Sequence, residues 1–290
     1  MHGRAGQRGK ETKMNVDGKA RDTTDGNETD SDVARWDPGW TKQLIKAVRP
    51  IGKRWFRWEV HGLASFPPAG GALVVSNHSG GSTSTDVVMF AADFYEKFGY
   101  DRPLYSVGHD GLFMGPLADW MTRLGVIHGS QENAIEALRT GGVVLTFPGG
   151  VYDVYRPTLR ANVIDFKGRT GYVKTAIEAG APIVPTVSIG AQESQLFLTR
   201  GTWLAKRLGL TRFRMDSLPV SFGFPFGLSV LLPPNLPLPT KITAQVLEPI
   251  DIVAHFGDDP DIDEVDAHVR SVMQTALDRL AANRRFPVLG

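Results

Sequence analysis

The stretch ALVVSNHSGGSTSTDVVMF, residues 72–90, decides how the chain folds. A run of apolar residues stops at Asn77-His78, two glycines and a string of hydroxyl side chains follow, and Asp86 opens a second apolar run. In that run Val87, Phe90, Ala91, Phe94 and Phe98 recur at helical spacing. The pattern predicts a buried strand feeding an amphipathic helix through a loop. Gly80 and Gly81 permit a tight reversal there, which can carry Asp86 back to His78.

The same alternation continues outward from this unit. PLYSVGH (103–109) predicts a strand, GPLADWMTRLG (115–125) a helix or turn, SQENAIEALRTGG (130–142) a helix and VVLTF (143–147) a strand. TGYVKTAIEAG (170–180) and PIVPTVSI (182–189) predict a further helix and strand, KITAQVLEPI (241–250) a strand, and residues 261–285 a helix with acids first and bases last. Strands alternating with helices predict an α/β architecture, a mostly parallel mixed sheet flanked by helices. In such sheets, sites lie beyond the carboxyl ends of the strands. His78, His109 and the Pro148-Gly149-Gly150 turn each follow a predicted strand, so parallel neighbours would place all three on one rim.

The 290 residues are 42% hydrophobic, enough for a sizeable core. Cysteine is absent, which excludes disulfides, thiolate zinc sites and a cysteine acyl-enzyme. Residues 1–35 are polar and read as a disordered tail without the apolar segment of a signal peptide. No window reaches the roughly 18 to 20 uninterrupted apolar residues of a spanning helix.

Residues 36–58 carry Lys42, Lys46, Arg49, Lys53, Arg54 and Arg57 against a single acid, Asp37, with Trp36, Trp40, Trp55, Phe56 and Trp58 among them. Such a basic, tryptophan-bearing amphipathic segment suits a membrane interface; it also suits a surface helix whose tryptophans pack on the core. A second basic-aromatic stretch (200–215) and the Phe/Leu/Pro-rich residues 220–234 favour the membrane. Nucleic acid is not expected, because the pI is about 8.0 and no recognition motif accompanies the cations.

Three constellations can carry chemistry. A neutral His78 imidazole can take a proton from a hydroxyl if Asp86 holds its other ring nitrogen; alternatively Asp86 caps a helix and His78 is an ordinary loop residue. LTFPGGVYDVYRP (145–157) leads a strand into a Gly-Gly turn where backbone can approach a ligand, and Arg156 can pair with a phosphate or carboxylate. His109 and Asp110 leave a third strand, without the fixed spacing of a metal motif. The Gly-x-Ser-x-Gly elbow of serine hydrolases and the glycine-rich nucleotide loops are missing.

The order of these blocks resembles the glycerolipid acyltransferase superfamily, the lysophospholipid and diacylglycerol acyltransferase-like enzymes. The family's strand ending in Asn-His, with an Asp opening a helix, is similar to Asn77, His78 and Asp86, followed by Phe90. Its second block resembles residues 108–127, its third Phe147-Pro148-Gly149-Gly150, and its fourth Ile183-Val184-Pro185-Thr186. Four blocks in order over residues 71–190 are far more specific than any one of them. Two departures stand out. Seven residues separate His78 from Asp86 where the family has about four, so either the loop is enlarged or the acid comes from elsewhere. Gly149 occupies the place of a Glu in phosphate-accepting members, and the following Asp153 and Arg156 resemble the neutral-lipid branch.

The resemblance implies a glycerol-3-phosphate acyltransferase-like domain over residues 59–290, acyl-CoA as co-substrate with no cofactor or metal, and a glycerolipid acceptor. It implies peripheral attachment at the cytoplasmic face of a membrane, with residues 36–58 docking. His78, oriented by Asp86, would deprotonate the acceptor hydroxyl, which attacks the thioester directly. Asn77, Phe147 and Pro148 would line the substrate site with Asp153. Amides of Gly80-Gly81 or Gly149-Gly150 would meet the oxyanion, Arg156 the CoA phosphates or headgroup, and His109 and Asn133 would support the rim. The alternative is a non-catalytic lipid or acyl-CoA binding protein on the same scaffold.

Overall fold

The computed structural model describes residues 31–81, 84–113, 115–213 and 216–286. Most of the predicted tail, residues 1–30, lies outside the described residues. Its last part, Asp32–Arg35, is a 3-10 turn rather than disordered chain. Val33 is buried in the core, and the Asp32 carboxylate accepts the backbone N–H of His128 at 2.9 Å.

Helix α1 (Pro38–Ile51) starts where the Asp37 carboxylate caps the N–H of Trp40 and proline occupies the first turn. Strands β1 (Glu59–His61) and β2 (Ala72–Ser76) precede helix α2 (Thr85–Phe98). Then come β3 (Leu104–Gly108), α3 (Leu117–Arg123), β4 (Val126–His128), α4 (Gln131–Arg139), β5 (Val143–Thr146) and the short α5 (Gly150–Val154). Helix α6 (Gly171–Ala179) leads to β6 (Ile183–Ile189). Strand β7 (Leu196–Thr199), helix α7 (Thr202–Arg207), and strands β8 (Val220–Gly223) and β9 (Gly227–Val230) form an excursion before β10 (Thr243–Val246), α8 (Ile252–Phe256) and α9 (Ile262–Asn283).

Seven strands form one sheet in the order β1-β10-β6-β2-β5-β3-β4. Every neighbouring pair is parallel except β10 with β6. The mostly parallel mixed sheet flanked by helices is therefore the architecture of the chain. Alternation along β2 shows why both faces are covered: Leu73 and Val75 join the core under α4, α6 and α9, while Ala72 and Val74 join the core under α1 and α2. Phe94 is fully buried in the second core, and Phe66 packs edge-on to it with ring centroids 5.6 Å apart. Truncating such a phenylalanine to alanine typically costs about 3–5 kcal/mol.

Much of the basic aromatic segment turns inward. Thr41, Ile45, Phe56 and Trp58 are buried, and Lys53 reaches the Asp93 carboxylate of α2 at 2.9 Å. Leu44, Ile51 and Trp55 remain exposed. Strands β7, β8 and β9 form a separate antiparallel sheet, which the proline- and glycine-broken sequence did not announce. Among the described residues, no helix is long and apolar enough to cross a membrane.

Candidate active site

Parallel neighbours β2, β5 and β6 end on one rim, with Val75 opposite Thr146 and Ser76 opposite Thr186. Asn77 leaves β2 there as a stitch between strands. Its amide nitrogen donates to the Ser188 carbonyl at 2.9 Å, and its amide oxygen accepts the Ser188 N–H at 2.8 Å. At 4% exposure, Asn77 faces β6 rather than solvent.

The next residues turn back through left-handed backbone at Gly80 (φ 89°), Gly81 (φ 58°) and Ser84 (φ 42°). The enlarged loop returns the acid to the histidine: His78 Nδ1 lies 2.8 Å from Asp86 Oδ2. Asp86 also accepts the N–H of Ser79 at 2.7 Å and of Val87 at 2.9 Å, so a carboxylate in the first turn of α2 holds the loop backbone and the imidazole at once. An acceptor at Nδ1 selects the tautomer with the proton on Nδ1, which leaves the Nε2 lone pair as the basic site. Phe147 stacks on the imidazole with centroids 4.2 Å apart, fixing the ring plane. Burial opposes protonation of His78, yet the Asp86 charge and hydrogen bond, with the charge of Asp153 added, raise its pKa above the ordinary 6.5.

A second carboxylate fixes the backbone. Asp153 Oδ2 accepts the N–H of His78 at 2.7 Å, and Oδ1 accepts Arg156 Nη2 at 2.6 Å and Nε at 3.1 Å. Burial pushes the Asp153 carboxyl upward, against the Arg156 guanidinium and the His78 N–H. Arg156 is itself buried, and Nη2 also donates to the Asp165 carbonyl at 3.3 Å. The guanidinium expected to meet a substrate phosphate is thus turned into the protein. A Cβ at Gly149 would lie 2.5 Å from Asp153 Cβ, so glycine there makes room for the clamp. Gly150 N–H closes the turn on the Phe147 carbonyl at 2.9 Å, while Arg169 Nη1 donates to the carbonyls of Pro148 and Gly149 at 3.1 and 2.9 Å.

His109 stands exposed past β3, its Nδ1 accepting the Gly111 N–H at 3.1 Å. Strand β5 lies between β3 and β2, so roughly 10 Å of sheet separates this exit from that of His78. Asn133 donates weakly toward Asp32, at 3.4 Å, and so braces the rim near His128. Sequence reading passed over Ser188, Arg169 and Gln192, whose amide donates to the Arg156 and Val154 carbonyls. Only the closeness of Ser188 to the Ile183-Val184-Pro185-Thr186 block signalled it.

The acyltransferase family model matches residues 57–189, a span that holds Asn77, His78, Asp86, Asp153, Arg156 and Ser188. An uncharacterized protein of Mycobacterium leprae is 31% identical over 256 residues, 86% of this chain and 67% of that protein. A mouse protein described as a DGAT1/2-independent enzyme synthesizing storage lipids is 32% identical over 197 residues, 67% of this chain and 56% of its own length. In fold, the chain is similar to the 1-acyl-sn-glycerophosphate acyltransferase PlsC of Thermotoga maritima, with a TM-score of 0.52 and 20% identity over 84% of this chain and 82% of that one. With a His-Asp pair on a parallel-sheet rim, four ordered sequence blocks within the matched span, and relatives of this kind, the chain belongs to the glycerolipid acyltransferase superfamily.

Proposed function

We propose that the protein transfers a fatty acyl group from acyl-CoA to a glycerolipid hydroxyl, with His78 as general base. The observation that carries this reading is the 2.8 Å contact between His78 Nδ1 and Asp86, which leaves Nε2 as the basic atom. The acceptor O–H gives its proton to Nε2 as its oxygen bonds to the thioester carbon. Collapse of the tetrahedral species breaks the C–S bond, and the proton passes to the departing CoA thiolate. A positioned base of this kind contributes about a hundred- to ten-thousand-fold in rate.

A neutral acceptor, mono- or diacylglycerol, suits the chain better than a phosphorylated one. Supporting this, Arg156 is occupied by Asp153, and position 149 has no room for a side chain beside that clamp. The likeness to storage-lipid enzymes points the same way. The reaction takes place at the cytoplasmic face of a membrane, where both substrates are found. Acceptor-dependent thiol release from palmitoyl-CoA, with monoacylglycerol, diacylglycerol and lysophosphatidate compared, tests the reading; release with lysophosphatidate alone would reverse the acceptor assignment. The non-catalytic alternative drew its force from the enlarged loop, which nonetheless leaves Asp86 in contact with His78.

A further inference from the structure

The three-stranded sheet has its polarity reversed. Its outward face carries Leu196 and Leu198 of β7, Phe222 of β8, and Leu228 and Val230 of β9, with Phe222 54% and Leu228 64% exposed. Its covered face carries Ser221 and Ser229, at 9% and 6% exposure, joined by a 3.0 Å hydrogen bond between their hydroxyls. Soluble antiparallel sheets place the apolar side chains on the covered face. Here the register aligns Leu196, Phe222 and Leu228 in one row across the outside. The β8–β9 turn adds Phe224 and Phe226, both exposed. Continuous apolar surface of this kind marks an interaction site.

The charge of the same segment names its partner. Residues 196–213 contain no acid, and Lys206, Arg207 and Arg212 lie among them. Lys206 and Arg207 end α7 as exposed side chains, with Trp203 of the same helix 62% exposed. An apolar centre with a cationic, tryptophan-bearing border complements a bilayer with anionic headgroups. Self-association about a two-fold axis would instead bring cationic borders toward each other. The chain that follows β9 is tied to the basic aromatic segment past α1, because Trp55 Nε1 donates to the Pro237 carbonyl at 3.1 Å.

We propose that the outer face of the β7–β8–β9 sheet seats the protein in the hydrocarbon edge of an anionic membrane, with α7 at the headgroups. The inference rests on the lipid acyltransferase reading for its purpose, and the fold supplies the link. Phe197, on the covered face, lies so close to the His78 loop that a Cβ at Gly81 would be 2.5 Å from its ring. Thr158 hydroxyl ties the same strand to the chain after Arg156, accepting the Phe197 N–H at 2.9 Å. Seating this sheet therefore sets the catalytic loop beside the lipid from which the acceptor comes.

The test uses the full chain and phosphatidylcholine vesicles with and without phosphatidylglycerol. Phe222→Ser/Leu228→Ser alters only outward side chains; Phe224→Ser/Phe226→Ser in the turn is the second variant should the first fail to fold. Partitioning to anionic vesicles should fall about tenfold or more in either variant. Turnover with a short-chain, water-dispersed diacylglycerol should match the wild type. Unchanged partitioning would overturn the proposal. So would a wild-type dimer that the variants convert to a monomer without loss of vesicle binding, which would assign the face to a second copy. Absence of turnover with every acceptor would count against the acyltransferase reading alone, since the vesicle measurement still decides the docking face.

Discussion

Asp153 accepts the backbone N–H of His78 at 2.7 Å across 75 residues of sequence, while Asp86 takes the ring of the same histidine at 2.8 Å. The imidazole is consequently fixed by two acids with different tasks: one sets where the residue sits, the other which nitrogen carries the proton. Removing either should impair turnover for separate reasons, and the variants can be told apart.

The rate should rise with pH. His78 must be neutral to act as the proposed base, and its pKa lies above 6.5 because Asp86 and Asp153 outweigh burial. The acidic limb of kcat/KM should have its midpoint above 6.5, and Asp86→Asn should move it down while lowering kcat. Stability should run the other way. A histidine whose folded pKa is raised contributes stability that is complete below the unfolded value and is lost as pH climbs through the folded one. Thermal melting of wild type against His78→Gln across this window checks the sign.

Arg156→Ala should destabilise the fold more than a surface change does. The pair is buried on both sides, with side-chain exposures of 5% and 3%, so removing the cation strands the Asp153 charge. Breaking such a pair costs about 3–5 kcal/mol. Denaturant unfolding should show that loss, and Arg156→Ala/Asp153→Asn should recover part of it. Selective loss of turnover with a phosphorylated acceptor, without loss of stability, would return Arg156 to a substrate-binding role.

Gly149→Ala should cost about 1–3 kcal/mol, the usual range for overpacking, because its Cβ would meet Asp153 at 2.5 Å. Gly149→Glu should be worse, because it sets a longer, charged side chain beside the buried Asp153, and denaturant unfolding measures both losses. A Gly149→Glu protein as stable as the wild type would mean that the clamp yields without strain.

Asn77→Ala should cost about 1–3 kcal/mol, by leaving the buried N–H and carbonyl of Ser188 without their amide partner. Unfolding curves measure it; an unchanged midpoint would show that the stitch between β2 and β6 is not needed.

Strands with long apolar runs were legible because β2, β5 and β6 are buried on both faces, which requires continuous Val, Ile and Leu. The three-residue β1 and β4 are too short to carry a period. The β8–β9 hairpin escaped because its apolar side chains face outward, inverting the pattern that identifies a strand in water. His78 and Asp86 were readable from their places at a strand end and a helix start. What spacing cannot convey is that three extra loop residues close rather than open the distance between them. Nor does proximity in sequence say that Arg156 looks inward: a cation three residues after an acid reads equally as a substrate arginine or as that acid's partner. Burial alone separates the two.

The most direct test is acceptor-dependent thiol release from palmitoyl-CoA by wild type and His78→Ala, with diacylglycerol as acceptor and the acylated lipid identified by mass. The wild type should release thiol, and His78→Ala, still folded, should lose about a hundred- to ten-thousand-fold in kcat with little change in KM. Release that survives unchanged in His78→Ala would remove His78 from the chemistry.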